Sequence, residues 1–287
     1  MLASKQCLEC LYNQIKNILD IFPQTNNDDI LQEVRKNLKK LPKAPPPKIA
    51  VPIYKKLSTM SNQKDFYKQI KETGIQKAHN ITQNLKQNLP LNNPYETLKE
   101  SIKIAALGNI IDYGSQTHFS FENFSSAADF AIFDFEIFEK MLQKSKKILY
   151  FADNAGENLF DAILIETIYR QYPNIQIFYL TRDKPIINDI TLEDITQNTL
   201  CHPLQKFCKI LSSGMASPGF IYSDAPKKIQ KMFNEADLII SKGMGNFECL
   251  ENIKDSRLFL LFKIKCQVVA NFLNIPIGKM IFKQNIY

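Results

Sequence analysis

The sequence has no apolar run approaching the ~20 residues that span a bilayer, which excludes a membrane helix. Polar residues interrupt positions 1–7 before an apolar region forms, so the start does not read as a secretory signal. No internal repeat and no low-complexity tail is present. Zinc-finger spacing and an aromatic-interleaved RNA motif are also missing. Despite a net charge of +7, nucleic acid is therefore not an expected partner. Histidine is scarce: His79, His118 and His202 have no partners that the sequence names, although His202 lies near Cys201 and Cys208. The six cysteines do not form a disulfide framework and read as reduced thiols or metal ligands. These absences point to a cytoplasmic protein, with its oligomeric state unconstrained.

What is present is enough chain for one large domain or two small ones, and 45% apolar residues to fill a core. Residues 1–145 read as mainly helical. Windows at 7–22, 30–41, 65–89 and 95–111 show helical spacing, a proline-rich connector covers 42–52, and 124–144 reads as a further helix. From residue 146 short apolar runs, at 148–152, 175–180, 209–211, 238–241, 258–262 and 276–282, alternate with helical windows at 157–171, 192–198 and 225–235. The expected architecture is α/β: a helical N-terminal region (1–145) packed on a mostly parallel-sheet C-terminal region (146–287).

In such sheets ligands bind beyond the carboxyl ends of the strands. Asp153-Asn154-Ala155-Gly156-Glu157 follows the first apolar run directly. Its oxygens suit Mg²⁺, Mn²⁺ or a similar ion, and equally an Asx-turn in which Asn154 caps the next helix. Glu157 is either a first-turn helix acid or a carboxylate supporting the ligands. Asp189, after the second run, is a candidate third ligand; alternatively Asp189 or Thr191 is an N-cap. Ser241-Lys242-Gly243-Met244-Gly245-Asn246-Phe247-Glu248 follows the run at 238–241. It can offer backbone N–H groups and a cation to phosphate, or its glycines can simply permit a turn. Lys265 is either a second phosphate contact or a solvated lysine. Asn109 and Asp112 share a face at the end of a helical window, or terminate it. Residues 212–219 read as a binding loop or an ordinary connection. Cys7 and Cys10 lack the further ligands of a closed zinc site and default to packed thiols.

Taken in order, Cys7-Leu8-Glu9-Cys10, Asn93-Pro94-Tyr95, Gly108-Asn109-Ile110-Ile111-Asp112, Asp153-Asn154-Ala155-Gly156-Glu157, Asn188-Asp189-Ile190-Thr191, residues 241–248 and Lys265-Cys266 resemble the damage-control phosphatase family, first catalogued as domain of unknown function 89. The Cys-x-x-Cys pair is similar to that of its prokaryotic branch. Asn93 stands where an acid is usual, and Met244 and Cys249 vary the third motif. The resemblance implies a phosphatase that acts on small phosphorylated metabolites such as sugar phosphates with a divalent ion (Mn²⁺, Mg²⁺, Co²⁺ or Ni²⁺). Asp153, Asn154 and Asp189 would hold the ion and Lys265 would contact the phosphate. Glu157, Lys242, Gly245, Asn246 and Asn109 would form the substrate-binding set. The rival readings are an S-adenosylmethionine-dependent methyltransferase, opposed by the single glycine and the lack of Gly-x-Gly in the first strand-to-helix turn (153–157), and a non-catalytic binder of phosphometabolites or nucleic acid. The second rival is opposed by carboxylates at the strand ends, which repel phosphate unless a cation lies between.

Overall fold

Alternating apolar side chains of short strands bury both faces of one sheet, because helices cover each side. The computed structural model describes residues 1–23, 26–39, 43–108 and 129–286; Asn109, Asp112 and His118 lie outside them. Strand β1 (Phe130–Phe133) and β4 (Lys209–Ser212) form the edges of a seven-stranded sheet of order β1-β7-β6-β5-β2-β3-β4. Strands β2 (Lys147–Phe151), β3 (Gln176–Thr181), β4, β5 (Leu238–Lys242) and β6 (Asp255–Lys263) are mutually parallel. Strand β7 (Met280–Asn285) runs antiparallel to β6 and pairs parallel with β1. From β2 the chain moves outward to β3 and β4, then returns to β5 on the other side of β2. The order reverses there, so the carboxyl ends of β2 and β5 flank a topological switch point.

Eleven helices occur among the described residues. Helices α1 (Lys5–Ile21), α2 (Asn27–Lys39) and α3 (Pro46–Ser61) share a core of their own, which Phe66 and Ile186 join. Helices α4 (Lys68–Gln87), α5 (Pro94–Leu107), α6 (Phe135–Leu142), α7 (Glu157–Gln171) and α8 (Leu192–Gln197) pack on one sheet face with Tyr150, Tyr179 and Ile240. Helices α9 (Lys227–Glu235), α10 (Met244–Leu250) and α11 (Gln267–Leu273) cover the other face with Leu149, Phe151 and Ile239. Ile186 belongs to the loop after β3, so the α1–α3 bundle is anchored at the carboxyl rim of the sheet.

Local signals account for most boundaries. Asn93 caps α5 by accepting from the Glu96 backbone N–H (3.3 Å), with Pro94 in the first turn. Thr191, rather than Asp189, caps α8 through a capping box with Asp194. Two expectations need correction. The connector expected at 42–52 is largely helix: Pro46 and Pro47 occupy first-turn positions, where a missing N–H costs no hydrogen bond. Pro52 lies inside α3, which persists because Ile49, Ala50, Ile53 and Leu57 are buried in the bundle core. Residues 130–133, expected to be helical, form β1: β7 offers a pairing edge, and Phe133 packs against Phe130, Phe135 and Phe282.

Candidate active site

The switch point places two polar loops side by side. The turn after β2 and the loop after β3 zip together through a bridge between Asn154 and Asp189. Ile190 N donates to Asp153 O (2.9 Å) and Ala155 N to Asn188 O (2.8 Å). The same loop holds Ile187 at φ 47, a left-handed conformation that is rare for a β-branched residue and that clusters where geometry serves a site. Asp153 and Asp189, far apart in the sequence, thus meet as buried neighbours.

Arg182, the residue after β3, lies between them with only 2% exposure. Its Nε donates to Asp189 Oδ2 (2.6 Å), and its guanidinium lies 3.7 Å from Asp153 Oδ1. It also donates to Pro218 O (2.8 Å) and Asn246 Oδ1 (3.3 Å). Asn154 Nδ2 donates to Asp153 Oδ2 (3.1 Å) and Glu157 Oε1 (2.8 Å), which turns its carbonyl oxygen away from both acids. Asn154 Oδ1 and Asp189 Oδ1 accept no hydrogen bond from another described residue.

Lys242, the last residue of β5, is fully buried under this floor. It donates to Ala105 O and Asp161 Oδ1, both 2.7 Å away, and lies 3.2 Å from Glu157 Oε2. Burial opposes its charge, but Asp161 and Glu157 outweigh that and hold its pKa above the ordinary lysine value. Tyr150 and Tyr179 also donate to Asp161, tying α7 to the sheet. Among the described residues, the buried cluster sets four carboxylates (Asp153, Glu157, Asp161, Asp189) against two buried cations, Arg182 and Lys242. Burial first, then Glu157 and Asp189, push Asp153 well above the carboxylate range, against the pull of Arg182 and Lys265. Burial raises Asp189 to about 6 although Arg182 opposes it. Two carboxylates, a free amide oxygen and a shortage of positive charge are a donor set that fits a hard divalent cation.

The site opens into a cavity of about 390 Å³, within the usual ligand-pocket range. Its floor includes Asp153, Asn154 and Asp189, and Lys265 and Gly245 stand in its wall. Lys265 is exposed and makes no hydrogen bond or ion pair with another described residue. Helix α1 contributes Cys7, Cys10 and Leu11, and α3 contributes Pro46, Pro47 and Ala50. Cys7 is half-buried and Cys10 exposed, so neither is the buried packing residue expected from the sequence. The described residues hold no cluster of three or more His, Cys, Asp or Glu able to bind a metal.

Lys242, Asn246 and Glu157 lie beneath the cavity rather than in its wall. Lys242 points to the α5 and α7 face, where its ammonium is taken up by protein oxygens. Asn246 spends both amide hydrogens on Ala152 O (3.1 Å) and Lys242 O (2.6 Å), and its oxygen accepts from Phe220 N (2.7 Å). It joins the ends of β2 and β5 to Phe220, directly after the loop at 212–219. That loop is a wall of the site, for Pro218 lines the cavity and Gly245 approaches Pro218 so closely that a Cβ would stand 2.3 Å from its carbonyl oxygen. Arg182 was not assigned a role from the sequence; its signal is only its position directly after β3.

Gly243 follows β5 at φ 86, and a Cβ there would stand 2.0 Å from Asp153 Oδ2. Gly243→Ala is expected to cost about 1–3 kcal/mol from the backbone alone. A displacement of Asp153 by roughly 1 Å should lower turnover by about 100-fold. Urea denaturation and steady-state kinetics check the two effects.

The fold and site together define a doubly wound α/β protein with paired carboxylates at the switch point. The chain belongs to the damage-control phosphatase family: residues 3–281 match the damage-control phosphatase ARMT1-like domain. It is 32% identical over 298 residues to damage-control phosphatase PH1575 of Pyrococcus horikoshii, with 99% of each chain covered. A damage-control phosphatase of Archaeoglobus fulgidus is 28% identical over 244 residues, covering 82% of this chain and 81% of the relative. The crystal structure of the DUF89 family protein from P. horikoshii superposes with a TM-score of 0.89 at 31% identity over 99% of both chains.

Proposed function

We propose that this protein is a divalent-cation-dependent phosphatase that hydrolyses phosphate esters of small metabolites, sugar phosphates among them. The observation that carries the reading is the meeting of Asp153, Asn154 and Asp189 at the switch point, in a cluster short of positive charge. A cation held by these three residues would supply Lewis acidity and neutralise charge on the phosphate. Lys265 reaches into the cavity from the β6–α11 loop and binds a phosphate oxygen. Met244 and Gly245, at the start of α10, line the same cavity. Arg182 holds Asp189 in its orientation and favours its ionised form. Leu11 of α1 and Pro46, Pro47 and Ala50 of α3 give the cavity an apolar wall, which limits water around the ester.

The test is hydrolysis of a sugar-phosphate panel by EDTA-stripped protein, with and without added Mn²⁺. Hydrolysis is expected only after the ion is restored. Equal rates with and without it would remove the cation from the account, and hydrolysis of no ester would remove the substrate class.

A further inference from the structure

Glu248 stands apart from the other acids of the site. It lies on α10, one turn beyond Met244 and Gly245, so all three share a helix face, and all three line the cavity that holds Asp153, Asp189 and Lys265. Only 8% of Glu248 is exposed. Each carboxylate of the buried cluster touches Arg182 or Lys242, whereas the Glu248 carboxyl makes no hydrogen bond or ion pair with another described residue. The nearby Met1 ammonium donates to the Glu248 backbone oxygen (2.5 Å) and pairs with Glu251. Burial pushes the Glu248 carboxyl up to about 7, with the Met1 ammonium opposing. Burial without a partner favours the protonated form of a carboxyl, and a proton held in a cavity wall is available to whatever enters.

We propose that Glu248 is the general acid that protonates the departing oxygen of the ester. This rests on the phosphatase reading and deepens it. Glu248 lines the same cavity as Asp153, Asp189 and Lys265, one helical turn along α10 from Met244 and Gly245. In the reaction the bond from phosphorus to the ester oxygen breaks and its electron pair stays on that oxygen. The Glu248 proton completes the product alcohol. The oxygen of a water molecule bonds to phosphorus and keeps one hydrogen, giving hydrogen phosphate. The other water proton, released into the cavity, restores Glu248.

The role makes a prediction about leaving groups. p-Nitrophenolate departs without protonation, whereas an alkoxide does not. In Mn²⁺-loaded Glu248→Gln, the ratio of kcat for p-nitrophenyl phosphate to kcat for an alkyl phosphate cleaved by the wild type is expected to rise about 100-fold or more. Glu248→Asp keeps an acid but withdraws it by one methylene, and its ratio should rise less. Should Glu248→Gln fail to fold, Glu248→Asp carries the test alone. A ratio equal to that of the wild type overturns the proposal while leaving the phosphatase reading intact. Wild-type protein inert toward both esters overturns the phosphatase reading, and this role with it.

Discussion

Asp153→Asn is expected to lower Mn²⁺-dependent ester hydrolysis by about 1,000-fold or more, since it removes a ligand and the charge that holds the cation. The same change should raise the melting temperature of the metal-free protein at pH 7. The Asp153 carboxyl has a folded pKa well above its ordinary 3.8. Such a group stabilises fully only below its unfolded pKa, and that stabilisation is lost as pH rises through the folded value. At neutral pH it is therefore a cost to the metal-free fold, which the neutral amide removes. The gain should shrink as pH falls toward 4, and saturating Mn²⁺ should stabilise the wild type but not the variant. Scanning fluorimetry across pH, with and without Mn²⁺, reads all of this. A metal-free variant that melts below the wild type at pH 7 would show that Asp153 is held by its fold rather than for its ligand.

Arg182→Met is the second large effect. The substitution leaves Asp189 without the guanidinium 2.6 Å away and Pro218 O without its Arg182 donor, while Asn246 Oδ1 keeps only Phe220 N. Breaking a buried pair on one side costs about 3–5 kcal/mol, because the remaining charge is stranded. The loss should be readable by urea denaturation of metal-free protein, and Mn²⁺ should recover part of it by compensating Asp153 and Asp189. A loss below about 1 kcal/mol, the range of an exposed pair, would mean that the carboxylates do not depend on Arg182.

The loop after β2 was legible because its context is local. An apolar run, a polar turn and a helix window place Asp153, Asn154 and Glu157 without knowledge of the rest of the chain. Asp189 was legible as a neighbour because it follows the next strand, β3, which pairs with β2. Arg182 carries no such local signal. An arginine after a strand reads as solvated, and only the packing of Pro218 and Asn246 around it reveals its burial. Lys242 and Asn246 were legible as site residues but not as its underside, since the side a strand-end residue faces depends on which helices cover each sheet surface. Helix α3 was obscured by its prolines, and β1 by acidic and aromatic neighbours that suit a helix until β7 supplies an edge. Glu248 was quoted as the end of a motif, and its isolation emerges only once α1 and α10 enclose one cavity.

The convergence of Asp153, Asn154 and Asp189 on one cation is tested most directly by anomalous scattering from crystals grown with Mn²⁺. The account predicts a single strong peak bonded to oxygens of all three side chains, on the cavity side of Arg182. A peak held instead by the cysteines of α1, or ordered Mn²⁺ elsewhere with these three side chains bare, would contradict it.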